Sequence, residues 1–199
     1  MVNVAAGLGG TWAMIRGKPD WQDRLPMDAG AVFGSFWAMA LAFPAIALFT
    51  ETTRQAALVT PEAAEMVGDA APVPFLILNL LAAYASWGLS LFVLVQLASR
   101  SGAGWRVSPL IVAYNWSRLM VNLVIGLASA AAVLTGGLTA GLAIIGLIAL
   151  VLTVWFDWRV LGQTLSLTPG RIAGALAFVL LARAAASLLV STVGGVFVG

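Results

Sequence analysis

Residues 108–134 read SPLIVAYNWSRLMVNLVIGLASAAAVL, 27 positions that hold a single charge, Arg118. At the helical rise per residue this stretch is about 40 Å long. The hydrocarbon core of a bilayer is only about 30 Å thick. Ser108-Pro109 supplies an N-cap followed by a proline at the first helical position, and Thr135-Gly-Gly137 supplies the stop. The segment reads as a transmembrane helix.

Working outward, four further stretches have the same character, at about 29–50, 73–98, 138–161 and 169–197. Thr168-Pro169 repeats the start signal of Ser108-Pro109, which suits two helices that begin on the same side. Pro44 falls inside the first stretch and is expected to kink or open it, because its ring removes a backbone donor. Of the 199 residues, 61% are apolar and 9% charged, whereas soluble domains have about 25% charged. So little charge cannot cover a water-facing surface. The fold expected is an all-α polytopic transmembrane bundle of five helices in residues 29–199, behind an N-terminal interfacial amphipathic segment in residues 1–28.

Within that segment, residues 1–10 are small and Gly-rich and read as frayed. Thr11–Gly17 could form two turns with Trp12 and Ile15 on one side, and Lys18–Arg24 mixes Trp21 with charges. Such a mixture suits the headgroup layer, the alternative being a disordered leader. No basic region followed by an apolar core occurs in residues 1–30, so they are not read as a cleavable signal peptide. Glu51 to Pro72 is the longest polar stretch, with a short helix expected from Pro61 to Val67 behind Thr60 as N-cap.

Basic residues orient the bundle. With the N-terminus in the cytoplasm, Arg16, Lys18, Arg24, Arg100, Arg106, Arg159 and Arg171 fall inside and only Arg54 outside. The C-terminus is then periplasmic. Arginine dominates the cations, and Ala, Gly, Leu and Val dominate the chain, which suits a GC-rich bacterial genome and an inner-membrane location. The basic residues are dispersed, so no nucleic-acid partner is implied. Gly137, Gly141 and Gly146 offer a smooth flank for helix packing, within the chain or in a homodimer. Trp105, Trp155 and Trp158 fall where interfacial anchors sit.

The absence of cysteine and histidine removes disulfides, Cys- or His-based metal sites and imidazole-ligated haem. No catalytic residue, metal ligand or cofactor is expected, and no nucleophile–base pair or phosphate loop marks an enzyme. The candidate binding residues are polar groups deep in the spans: Arg118 and Arg183 near mid-bilayer, Asp157 as their acidic partner, and Asn115 and Asn122 on the Arg118 face. Arg183, Ser187 and Ser191 share a face, and Asn79, Ser86 and Ser90 form a polar stripe on the second span. Two readings stand side by side. Either the arginines line a wet cavity that binds an anion or a lipid phosphate, or they form a closed ion pair that sets helix register.

Tyr114-Asn-Trp-Ser-Arg118 and Trp155-Phe-Asp-Trp-Arg-Val-Leu-Gly162, with the five-span order over residues 11–197, resemble small Yip-like proteins of alphaproteobacteria. The resemblance implies a five-helix fold and a non-enzymatic role in membrane organisation, or as an accessory to other membrane proteins. The rivals are a small transporter or channel for an anionic or amphipathic solute, and a structural subunit of a respiratory or photosynthetic complex.

Overall fold

The computed structural model describes residues 3–59 and 72–198, with side chains for all of these except 138–140, 191 and 193–198. It is helical throughout, with α1 (Val4–Ile15), α2 (Trp21–Arg24), α3 (Ala29–Ser35), α4 (Trp37–Leu58), α5 (Pro72–Arg100), α6 (Val107–Thr135), α7 (Leu138–Leu165) and α8 (Pro169–Val198). Among the described residues, five stretches are long and apolar enough to cross a membrane: Ala29–Leu58, Pro72–Arg100, Gly104–Thr135, Gly141–Leu165 and Pro169–Val190. The helix expected over Pro61 to Val67 lies outside the described residues.

The outside of the bundle is apolar, with Leu127, Phe178, Leu181 and Leu188 well exposed, while Ser90, Asn115, Arg118, Ser129 and Asp157 are buried. An apolar exterior around polar buried groups is what a lipid solvent demands. Helix α6 is the central element. Every residue from Val112 to Leu119 is buried, so neighbours enclose it on all sides at this level. It packs on α4 and α7, while α5 pairs most extensively with α8.

The first span continues two turns beyond Thr50, where its polarity suggested an end. The polar side chains there are satisfied locally: Arg54 pairs with Glu51 at 2.7 Å, and the Thr52 and Thr53 hydroxyls donate to the Leu48 and Phe49 carbonyls. The break in this span is at Phe36, between α3 and α4, whereas Pro44 lies within continuous helix. The Tyr84 hydroxyl donates at 3.0 Å to the Met39 carbonyl, next to the Ala40 carbonyl that loses its usual donor at Pro44. In α7 the helix runs on to Leu165 and ends at Ser166, whose φ of 51° is left-handed. Arg106 holds that end by donating to the Thr164 carbonyl at 3.1 Å and to the Ser166 hydroxyl.

Of the flank expected at Gly137, Gly141 and Gly146, Gly141 makes a close approach to another helix. Gly146 has open space where a side chain would go, and a Cβ on Gly141 would meet only Ala132, at 3.1 Å. At Gly126, by contrast, a Cβ would lie 2.7 Å from that of Ala45, so α6 meets α4 backbone to backbone there.

The N-terminal residues correct an expectation. Residues 4–10 are not frayed but form most of α1, capped by Asn3, whose side chain accepts from Ala6 N at 2.9 Å. Helix α1 is largely buried against α2, α6 and α7: Gly10 faces the Arg24–Leu25 backbone at the end of α2, and Ile15 lies beside Val121 and Phe156. The helix carries no charge between its cap and Arg16, so it meets the apolar walls of the bundle without desolvating an ion. Arg159 closes its C-terminus, donating from Nε to the Ile15 carbonyl at 2.6 Å. Beyond it, the Arg24 guanidinium beside the exposed Asp20 holds that carboxyl below its ordinary range.

A buried Arg–Asp–Arg centre as candidate functional site

Asp157 sits two turns before the end of α7 and is almost fully enclosed. Its Oδ1 accepts from Nη2 of Arg118 on α6, and its Oδ2 accepts from Nη2 of Arg183 on α8 at 2.9 Å. One carboxylate thus joins three spans. Three further guanidinium donors find hydroxyls. Arg118 Nη1 donates to Thr153 Oγ1 at 3.3 Å, one turn before Asp157. Arg183 Nη2 also donates to the Tyr114 hydroxyl and Nε to Ser90 Oγ, each at 3.1 Å. The Arg118 guanidinium also stands 4.9 Å from the centre of the Tyr114 ring, a cation–π arrangement. Ser90 is held by the Ser86 carbonyl at 2.6 Å, so α5 joins the network as well.

The centre carries one surplus positive charge. Arg118 Nε is enclosed and has no partner among the described residues, as is Thr11 Oγ1. Desolvating three ions is costly, and their mutual attraction offsets this only when nearly every donor is satisfied. Here both carboxylate oxygens are used, while about half of the guanidinium N–H donors have a protein partner among the described residues.

Asn115 and Asn122 belong to other arrangements. Asn115 bridges α3 and α5: its Nδ2 donates to Ser35 Oγ at 2.9 Å and its Oδ1 accepts from Trp87 Nε1 at 3.0 Å. Ser35 in turn donates to the Val32 carbonyl at 2.7 Å, beside the break at Phe36. Asn122 donates at 2.8 Å to the Arg118 carbonyl one turn back. The face shared by Asn115, Arg118 and Asn122 therefore does not converge on one ligand position. Ser187 approaches Ser86 at 3.4 Å, Asn79 donates to the Phe75 carbonyl, and the Ser191 side chain lies outside the described residues.

Tyr114, Ser90 and Thr153 complete the centre. Tyr114 and Thr153 each precede a charged member by four residues, one helical turn, and that spacing was visible in the sequence. The link from Asn115 to Trp87 and Ser35 had no such local sign. Trp105, Trp155 and Trp158 are exposed, as anchors would be, while Trp87 and Trp116 are buried.

Two cavities lie towards the basic end of the bundle. One, of 620 Å³, opens between α1, α3 and α6 beside Asp28, Trp37 and Trp116. The other, of 290 Å³, is bounded by Trp21, Trp105 and Arg106. Neither is lined by Arg118, Asp157 or Arg183. No family model, curated protein or solved structure matches this chain.

Proposed function

We propose that this chain is a non-enzymatic protein of Yip-like type in a bacterial inner membrane, its N-terminus cytoplasmic, that organises the membrane or assists other membrane proteins. The observation that carries this reading is that Arg118 and Arg183 are both paired with Asp157, one on each carboxylate oxygen. A carrier for anions needs its guanidiniums free to exchange partners along a solvated path. Here the carboxylate takes both, the Thr153, Tyr114 and Ser90 hydroxyls take three further donors, and neither cavity described above is lined by the centre. Broad apolar and aromatic faces, with Phe33, Trp37, Phe92 and Phe178 outward, suit contact with lipid and with neighbouring helices.

The surplus charge of the centre is the one feature that favours the rival, an anion carrier. Reconstitution into liposomes separates the two. The expected result is anion flux no greater than in protein-free vesicles, together with stoichiometric co-purification of a membrane protein under mild detergent. Flux that disappears when Arg118 and Arg183 are changed to alanine would establish the carrier instead.

A further inference from the structure

The 620 Å³ cleft between α1, α3 and α6 has the chemistry of a headgroup site. Its size falls within the range of small-ligand pockets. Asp28 brings a carboxylate to one wall. Its Oδ1 accepts from Ala31 N at 2.9 Å as the cap of α3, and no cation pairs with it among the described residues. Trp37 and Phe33 stand beside it, 59% and 77% exposed, on the outward side of the first span.

Trp116 brings a donor to the opposite wall. The residue is only 2% exposed, and its indole N–H has no hydrogen-bond partner among the described residues. The residue lines the cleft. Gly7 lines the cleft, and a Cβ there would lie 2.3 Å from Trp116 Nε1. Asn3 is a second donor, because its Oδ1 caps α1 and leaves the amide nitrogen unused.

No lysine or arginine lines the cleft. An anionic headgroup would therefore meet Asp28 with nothing to offset it. A zwitterion that offers both phosphate oxygens and an ammonium fits. The oxygens would accept from the Trp116 N–H and the Asn3 amide, while the ammonium would meet the Asp28 carboxylate and the face of Trp37. Asp28 precedes the first span, which puts the Asp28 end of the cleft at headgroup depth, while Trp37 and Trp116, each more than two turns into its span, lie deeper, towards the acyl chains.

We propose that this cleft binds the phosphoethanolamine headgroup of a membrane lipid. The proposal is independent of the Yip-like reading, since it uses none of the residues of the Arg–Asp–Arg centre. The test is native mass spectrometry of the detergent-purified full chain, titrated with phosphatidylethanolamine, phosphatidylglycerol or free phosphoethanolamine. The expected result is retention of phosphatidylethanolamine about tenfold above phosphatidylglycerol. Asp28→Asn keeps an equally good helix cap and removes the charge, so it should abolish that preference while the protein stays folded. Trp37→Leu keeps an apolar side chain and should weaken retention about threefold. Equal retention of the two lipids by the unaltered chain, or an unchanged preference in Asp28→Asn, overturns the proposal. Displacement of the lipid by an equal concentration of free phosphoethanolamine would make the ligand a soluble phosphoamine and overturn the lipid assignment.

Discussion

Arg183 on the last helix donates to Asp157 Oδ2 at 2.9 Å, and the carboxylate's other oxygen is already engaged by Arg118. The last span is therefore fastened to α7 and α6 by an ion in a medium where ions are scarce. Broken, such a pair has no water to fall back on.

Asp157→Ala leaves two enclosed guanidiniums facing one another. The expected loss of stability is on the order of 3–5 kcal/mol, seen as a lowered thermal midpoint by circular dichroism in detergent. Removing all three ions together, with Arg118→Met, Asp157→Leu and Arg183→Met, should restore most of it, because the desolvation cost goes with the charges. A triple variant as unstable as Asp157→Ala would show that the centre does more than fasten helices.

Arg159→Ala removes the donor that closes α1. The Ile15 carbonyl then loses a charge-assisted hydrogen bond of about 1.5–3 kcal/mol. The expected outcome is faster hydrogen exchange in residues 4–15 with little change in the five spans. Gly17→Ala should act in the same direction. Gly17 has a φ of +70°, and a Cβ there would lie 2.4 Å from Arg159 Nη2.

At Gly126 a side chain has nowhere to go. Gly126→Val should force α6 from α4 and cost about 1–3 kcal/mol, as overpacking does. Gly146→Ala, at a position with open space, should leave the thermal midpoint unchanged or slightly raised. Equal effects at the two positions would mean that the small-residue contact has been misplaced.

Asn115→Ala strands the Trp87 N–H in an apolar interior, at a cost of about 1–3 kcal/mol, while the Ser35 hydroxyl keeps its bond to the Val32 carbonyl. Trp87 then loses its fixed surroundings. A change in near-ultraviolet circular dichroism without loss of helix content is the expected signature.

The five spans were legible because each is a local property: an uncharged run long enough to cross hydrocarbon, closed by Gly, Pro or polar residues. Their ends were less so. Thr50 looked like an end because polarity rises there, but Glu51 and Arg54 neutralise each other one turn apart and the helix continues. The deep position of Arg118 and Arg183, and the scarcity of acids, pointed to Asp157 as their partner, since an ion in lipid has few counter-ions to choose from. Asn115 gave no such clue, because an amide can be satisfied by any neighbour with a donor or acceptor.

By itself, then, the amino-acid sequence determined the solvent and the number of crossings, since both depend on how many consecutive residues avoid charge. Tertiary structure alone decided that α1 walls in α6, that the first span breaks at Phe36 rather than Pro44, and that Asn115 joins Trp87 and Ser35 instead of the ions. Arg118 and Asp157 are 39 residues apart, and Asn115 and Ser35 are 80. Contacts over such separations depend on how each helix is rotated and which neighbours it meets, and helical periodicity along one span records neither.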